Sequence, residues 1–146
     1  MPDLFFEDFT AGAELPTAEL VVTAEDAAVF TAHFGPGVAP PAQAPERALP
    51  ISEWHVAALG MRLFFASVVE RAASMGAPGI DEVTWPHPVY PGDRLRFAGR
   101  VTATRISASR PQMGLVTVAF ALFNQRGSCV MTQGNTVMVE TRRTEG

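Results

Sequence analysis

The run VAALGMRLFFASVV, from Val56 to Val69, carries a single charge, Arg62, in an otherwise apolar stretch. It falls short of the ~20 residues a membrane span requires, and its charge sits in the middle. A helix buried by protein accounts for it better. Ser52 is the best N-cap, so the helix is predicted from Glu53 to about Met75, where Gly76-Ala77-Pro78-Gly79 stops it. Its middle is apolar nearly all round, with polar residues only at its start and at Glu70-Arg71. A helix of that kind must be wrapped on most sides rather than laid on one surface.

The second half of the chain supplies the wrapping. Gly79 to Trp85 reads as a strand, and Pro86 and Pro88 place that segment at an edge or a bulge. Pro91-Gly92-Asp93 forms a turn. In RLRFAGRVTATRI, Leu95, Phe97, Gly99, Val101 and Ala103 point one way, and Arg94, Arg96, Arg100, Thr102 and Thr104 the other. LVTVAFALFNQ follows after SASRPQMG, and Arg126-Gly127 turns the chain into SCVMTQGNTVMVETR. Long strands joined by short turns form an antiparallel meander. One long apolar helix and one such sheet predict an α+β hot-dog arrangement, a single domain over residues 1–146 with the sheet curled around the helix. Edge strands left to cover predict association through the sheet, as a homodimer.

Upstream, Ala18 to Val22 reads as a short strand, and Thr10-Ala11-Gly12 as a turn. Thr23 caps a first helix, with Asp26 three residues on. Ala27, Val29, Phe30 and Phe34 suit one buried face, and Gly35 ends the helix. Between the helices, FGPGVAPPAQAPERALPISEWH holds five prolines, an unusual outlay for a connection.

Composition excludes several functions. A formal charge of -4 argues against a nucleic-acid binder, which needs a basic face. The arginines at 94, 96, 100, 105 and 110 read first as a solvated strand face. One cysteine, Cys129, rules out an internal disulfide framework, and with three scattered histidines it makes no zinc site. No glycine-rich phosphate loop points to a flavin or nicotinamide cofactor. The start, MPDLFFEDFTAG, is acidic and has no long apolar core, so it does not read as a secretory signal, and the cytoplasm is the expected location.

Several stretches resemble one family. FFEDFTAGAELPT and VTAEDAAVFTAHFGP resemble the opening of the MaoC-like dehydratases, SEWHVAALGMRLF the start of their central helix, VTWPHPVYPGDRLRFAGRV their strand-turn-strand, and SASRPQMGLVTVAFALFNQRGSCVMT their last hairpin. The resemblance implies a hot-dog protein acting on acyl thioesters, with acyl-CoA as substrate or ligand and no separate cofactor. Active members, (R)-specific enoyl-CoA hydratases among them, use an Asp and a His five residues later to add water across a trans-2-enoyl thioester. Attack at Cβ needs a base and protonation at Cα needs an acid, so a pair on one face of the substrate serves both. Here Gly35 stands where the Asp is expected and Pro40 where the His is expected. No Asp occurs between Asp26 and Asp81, and no His between His33 and His55, so no shift of alignment restores the pair.

Glu53 and His55 are the substitutes at hand, although residues two apart on a helix diverge by about 200° and do not share a face. His55 shares a face with Leu59 and Arg62. It is read either as a neutral base at a helix N-terminus or as a residue packed on Trp54 or capping its helix. Glu53 stands where the family's hydratases carry a Gly, and is read either as a base or as an acid favoured by the helix dipole. Ser52, Trp54, Arg62 and Arg110 complete the candidate substrate-binding set, with Arg62 alternatively in a structural ion pair and Arg110 facing coenzyme A phosphates. His33 ends the first helix, and His87 is read as a surface residue. Two activities of different class follow. One is an enzyme, a divergent hydratase or a thioesterase using Glu53 or His55. The other is a non-catalytic subunit that binds the thioester and pairs with a second hot-dog chain.

Overall fold

The computed structural model describes residues 1–35 and 49–142, so Pro40 lies outside the described residues. The elements are β1 (Ala18–Val21), α1 (Ala24–Phe34), α2 (Glu53–Ser67), β2 (Ile80–Thr84), β3 (Arg94–Ile106), β4 (Met113–Phe123) and β5 (Cys129–Glu140). The strands form one antiparallel sheet in the order β1-β3-β4-β5-β2, with α2 packed on one face. This is the expected α+β hot-dog architecture, with β3, β4 and β5 as the meander. β2 is an edge strand with a bulge between Ile80 and Glu82, and Pro86 and Pro88 fall just past its end.

Alternation decides what faces α2. Leu95, Phe97 and Val101 of β3, Val116, Val118, Phe120 and Leu122 of β4, and Met131, Val137 and Val139 of β5 are all buried. Phe64 of α2 stacks against Phe97 at 6.0 Å and packs against Phe120 at 5.3 Å, forming the centre of the core. Gly60 permits the close approach. A Cβ there would lie 3.1 Å from Met131 Cε.

Three expectations are corrected. α2 ends at Ser67, well short of Met75, because Val68 leaves the helix at φ -147°. Backbone pairing explains the early stop. Met75 N donates to Met138 O, and Met138 N to Gly76 O, so the chain runs extended along β5. Among the described residues, α2 is also covered on one side only. His55, Val56, Leu59, Gly60, Leu63, Phe64 and Ser67 are buried, while Trp54, Met61 and Phe65 remain exposed, because the sheet of one chain reaches one side of the helix. The alternation in β3 breaks after Val101, where a bulge turns Ala103 out to solvent.

α1 begins at the predicted cap, where Thr23 Oγ1 accepts from Asp26 N at 3.1 Å, and ends at Gly35, whose φ of +87° suits a residue without Cβ. Its expected buried face is only partly formed. Ala27 and Phe30 are half-buried, but Val29 and Phe34 are exposed.

Candidate functional site

The start of α2 is held by both backbone and side chain. Ser52 Oγ accepts from Trp54 N at 3.2 Å, and Ile51 N donates to Val89 O at 2.8 Å. That second bond ties the helix to the loop following β2. Between them lies a cleft of about 260 Å³, walled by Val56 and Trp85 and bearing Glu53, His87 and Tyr90 as its ionisable side chains. Trp54 is largely exposed and sets its ring edge-on to Trp85 at 5.5 Å.

Hydrogen bonds to one buried side chain hold the end of this loop. Asp93 is buried, and its Oδ2 accepts from Tyr90 N at 2.9 Å, closing the Pro91-Gly92 turn. Its Oδ1 accepts from Gln125 Nε2 at 2.9 Å, and Gln125 Oε1 accepts from Arg94 N at 3.0 Å. Asn124 Oδ1 accepts from Arg126 N and Ser128 N, which builds the β4–β5 turn. The PVYPGD and NQRG segments therefore form one bonded unit beneath the cleft.

Glu53 and His55 do not meet. Glu53 faces the cleft, whereas His55 is turned to α1, where its ring stacks on Phe30 at 4.8 Å with planes 4° apart. His55 is 6% exposed, and its Nδ1 is buried with no hydrogen-bond partner among the described residues. Burial pushes its imidazole below the ordinary histidine range, with Asp26 acting in the opposite sense. The packing partner is Phe30 of α1 rather than Trp54.

His87 is the residue that sequence reasoning set aside and the fold brings in. Its Nδ1 lies 3.0 Å from Cys129 O. A carbonyl only accepts, so Nδ1 is the donor in this bond. The flanking prolines were the available signal, since they hold the chain extended past the end of β2 and toward α2.

The other candidates lie elsewhere. Arg62 shares a helix face with His55 and Leu59 but lies at its exposed margin, and it makes no salt bridge among the described residues. Arg110 sits in the β3–β4 turn, where its N donates to Ser107 Oγ at 3.1 Å. β3 starts beside the cleft and runs 13 residues before the turn that carries Arg110, so Arg110 of the same chain lies past the far end of that strand. Gly35 caps α1 and offers only backbone. Cys129 is half-buried, its thiol directed at Met131 O.

Residues 24–133 match the family described as the FAS1-like dehydratase domain region. Among solved structures, a MaoC-like dehydratase from Rhodospirillum rubrum is 33% identical, with 97% of this chain and 99% of that one covered and a TM-score of 0.81. An R-hydratase from Pseudomonas aeruginosa in its unliganded form shares the fold at 17% identity, with 94% and 86% covered and a TM-score of 0.71. The ChsH1–ChsH2 complex from Mycobacterium tuberculosis shares it at 18% identity, with 91% and 98% covered and a TM-score of 0.58. No curated protein sequence matches the chain. The hot-dog fold, the family match across most of the chain and the Rhodospirillum relative together establish that this chain belongs to the MaoC-like dehydratase family.

Proposed function

We propose that the chain binds an acyl thioester of the coenzyme A type in the cleft at the start of α2, without hydrating enoyl thioesters by the family's aspartate–histidine route. The observation that carries this is the divergence of Glu53 and His55. The cleft receives a carboxylate from α2, while the helix's histidine is spent on packing against Phe30. In this reading Gly35 and Pro40 occupy the seats of the usual pair, and no Asp occurs between Asp26 and Asp81 and no His between His33 and His55. Binding itself keeps its physical basis, because a helix N-terminus favours the partial negative charge of a thioester oxygen. The apolar walls suit an acyl chain.

Homodimerisation belongs to the same reading. Trp54, Met61 and Phe65 leave one side of α2 apolar and open, which a second chain would cover. The alternative partner is a different hot-dog chain, for which the ChsH1–ChsH2 complex offers an analogy of fold. No helix among the described residues is long and apolar enough to cross a membrane.

A second reading, a thioesterase or divergent hydratase, is favoured by one observation. Glu53 and His87 line the same cleft, and the Nδ1 hydrogen bond to Cys129 O orients the His87 ring. In that reading His87 takes the proton of an attacking water and Glu53 orients it.

Thermal-shift titration with crotonyl-CoA and butyryl-CoA against free coenzyme A, followed by hydration and thiol-release assays, tests both readings. Saturable stabilisation by the acyl thioesters with no hydration and no thiol release is expected. Thiol release abolished by His87→Gln selects the second reading. Robust hydration of crotonyl-CoA overturns the first.

A further inference from the structure

β4 is apolar on both faces. Val116, Val118, Phe120 and Leu122 are buried against the core, and Leu115, Ala119, Ala121 and Phe123 alternate with them on the opposite face, only half-buried, with Thr117 the one polar residue among them. A strand in a sheet with one wet face alternates apolar with polar residues, whereas a nearly continuous apolar run belongs to a strand covered on both sides. Among the described residues this second face is an open groove of about 720 Å³, on the side of the sheet away from α2.

The groove's charges are sorted to its two sides. Strand pairing sets Arg100, Ala119, Gly134 and Glu82 in one row across β3, β4, β5 and β2. Three strand spacings, about 14 Å, separate the cation from the anion. Arg96 joins Arg100 on one wall, its guanidinium lying 5.1 Å from the centre of the Phe123 ring, and Asp81 joins Glu82 on the other. Glu14 also stands on the arginine side, so that wall is net positive and the opposite wall wholly acidic. All four charges are exposed, and no salt bridge among the described residues engages any of them.

We propose that this face binds a second copy of the chain about a two-fold axis parallel to the strands. Rotation about that axis lays the arginine wall of each copy over the acidic wall of the other, so one contact satisfies both walls of both chains. An axis across the strands would set arginine against arginine, so charge selects one of the two symmetric face-to-face arrangements. Small residues at positions 119, 121 and 134 keep the floor low enough for two sheets to pack at about 10 Å. The contact lies opposite α2, so it stands or falls independently of association through that helix.

Sedimentation equilibrium on the full chain tests the proposal. Two variants each remove the complementarity: Arg96→Glu with Arg100→Glu makes both walls acidic, and Asp81→Lys with Glu82→Lys makes both walls basic. Each alone should show about half the mass of wild type, whatever α2 contributes. Mixed in equal amounts, the two should recover the wild-type mass, because an all-acidic face fits an all-basic one. Variants that keep the wild-type mass overturn the proposal, as does a mixture of folded variants that stays small. A variant-free measurement stands beside these: the wild-type Kd for the same step should rise at least about tenfold from low to high salt. A step that salt leaves unchanged, or no such step, overturns the proposal and points to a different protein as the occupant.

Discussion

Gln125 donates from Nε2 to Oδ1 of Asp93 at 2.9 Å, joining the turn before β3 to the turn between β4 and β5. The carboxylate is buried, and its other oxygen is occupied by Tyr90 N. Removing the donor leaves a buried acceptor without a partner. Gln125→Ala should therefore lower stability by about 1–3 kcal/mol in urea unfolding. A double-mutant cycle with Asp93→Asn should give a coupling of about 0.5–3 kcal/mol. Additive effects would mean that the two turns are held independently.

Gly114 on β4 admits the ring of Phe6. A Cβ at this position would overlap Phe6 Cδ2, so the ring must leave its place. Gly114→Ala should cost about 1–3 kcal/mol, measured by thermal or urea unfolding, and Phe6→Leu should recover part of it. An unchanged Tm in the single variant would show that the N-terminal segment is not packed there.

His55 makes stability depend on pH in a definite direction. Its folded-state pKa is lowered by burial, so the unfolded chain binds the proton more readily. The contribution is fully favourable above the ordinary histidine value of about 6.5 and is lost as pH falls from there toward the lowered folded value. Tm followed from pH 8 to 5 should fall across that window, and His55→Phe should flatten the fall. A profile that His55→Phe leaves unaltered would assign the dependence to other groups.

Ser52 anchors the cleft's helical wall. Ser52→Ala removes the side-chain acceptor for Trp54 N and should cost about 1 kcal/mol of stability. Acyl-CoA stabilisation in the thermal-shift titration should weaken in the same variant, because the frayed turn carries Glu53. Full retention of the ligand shift would place binding away from the start of α2.

Local chemistry was legible without the fold. Thr23 and Ser52 cap their helices as their side chains require, and Gly35 and Gly127 end a helix and form a turn at positive φ. The apolar run after Ser52 and the alternation from Leu95 to Val101 dictate one buried helix on one curved sheet, because no other packing hides both. The absence of any Asp between Asp26 and Asp81, and of any His between His33 and His55, is likewise a property of the chain itself. What the sequence left open were choices made by neighbours distant in the chain. α2 stops at Ser67 because residues 73–76 bond to β5, a competition that no helical propensity reports. His55 turns to Phe30 and leaves Glu53 with His87, a partner 34 positions away, because the β2 loop is bonded to the start of α2 through Ile51 and Val89. Short-range preferences determine which elements form. Only long-range hydrogen bonds and close packing decide where each one ends and which side chains share a cleft.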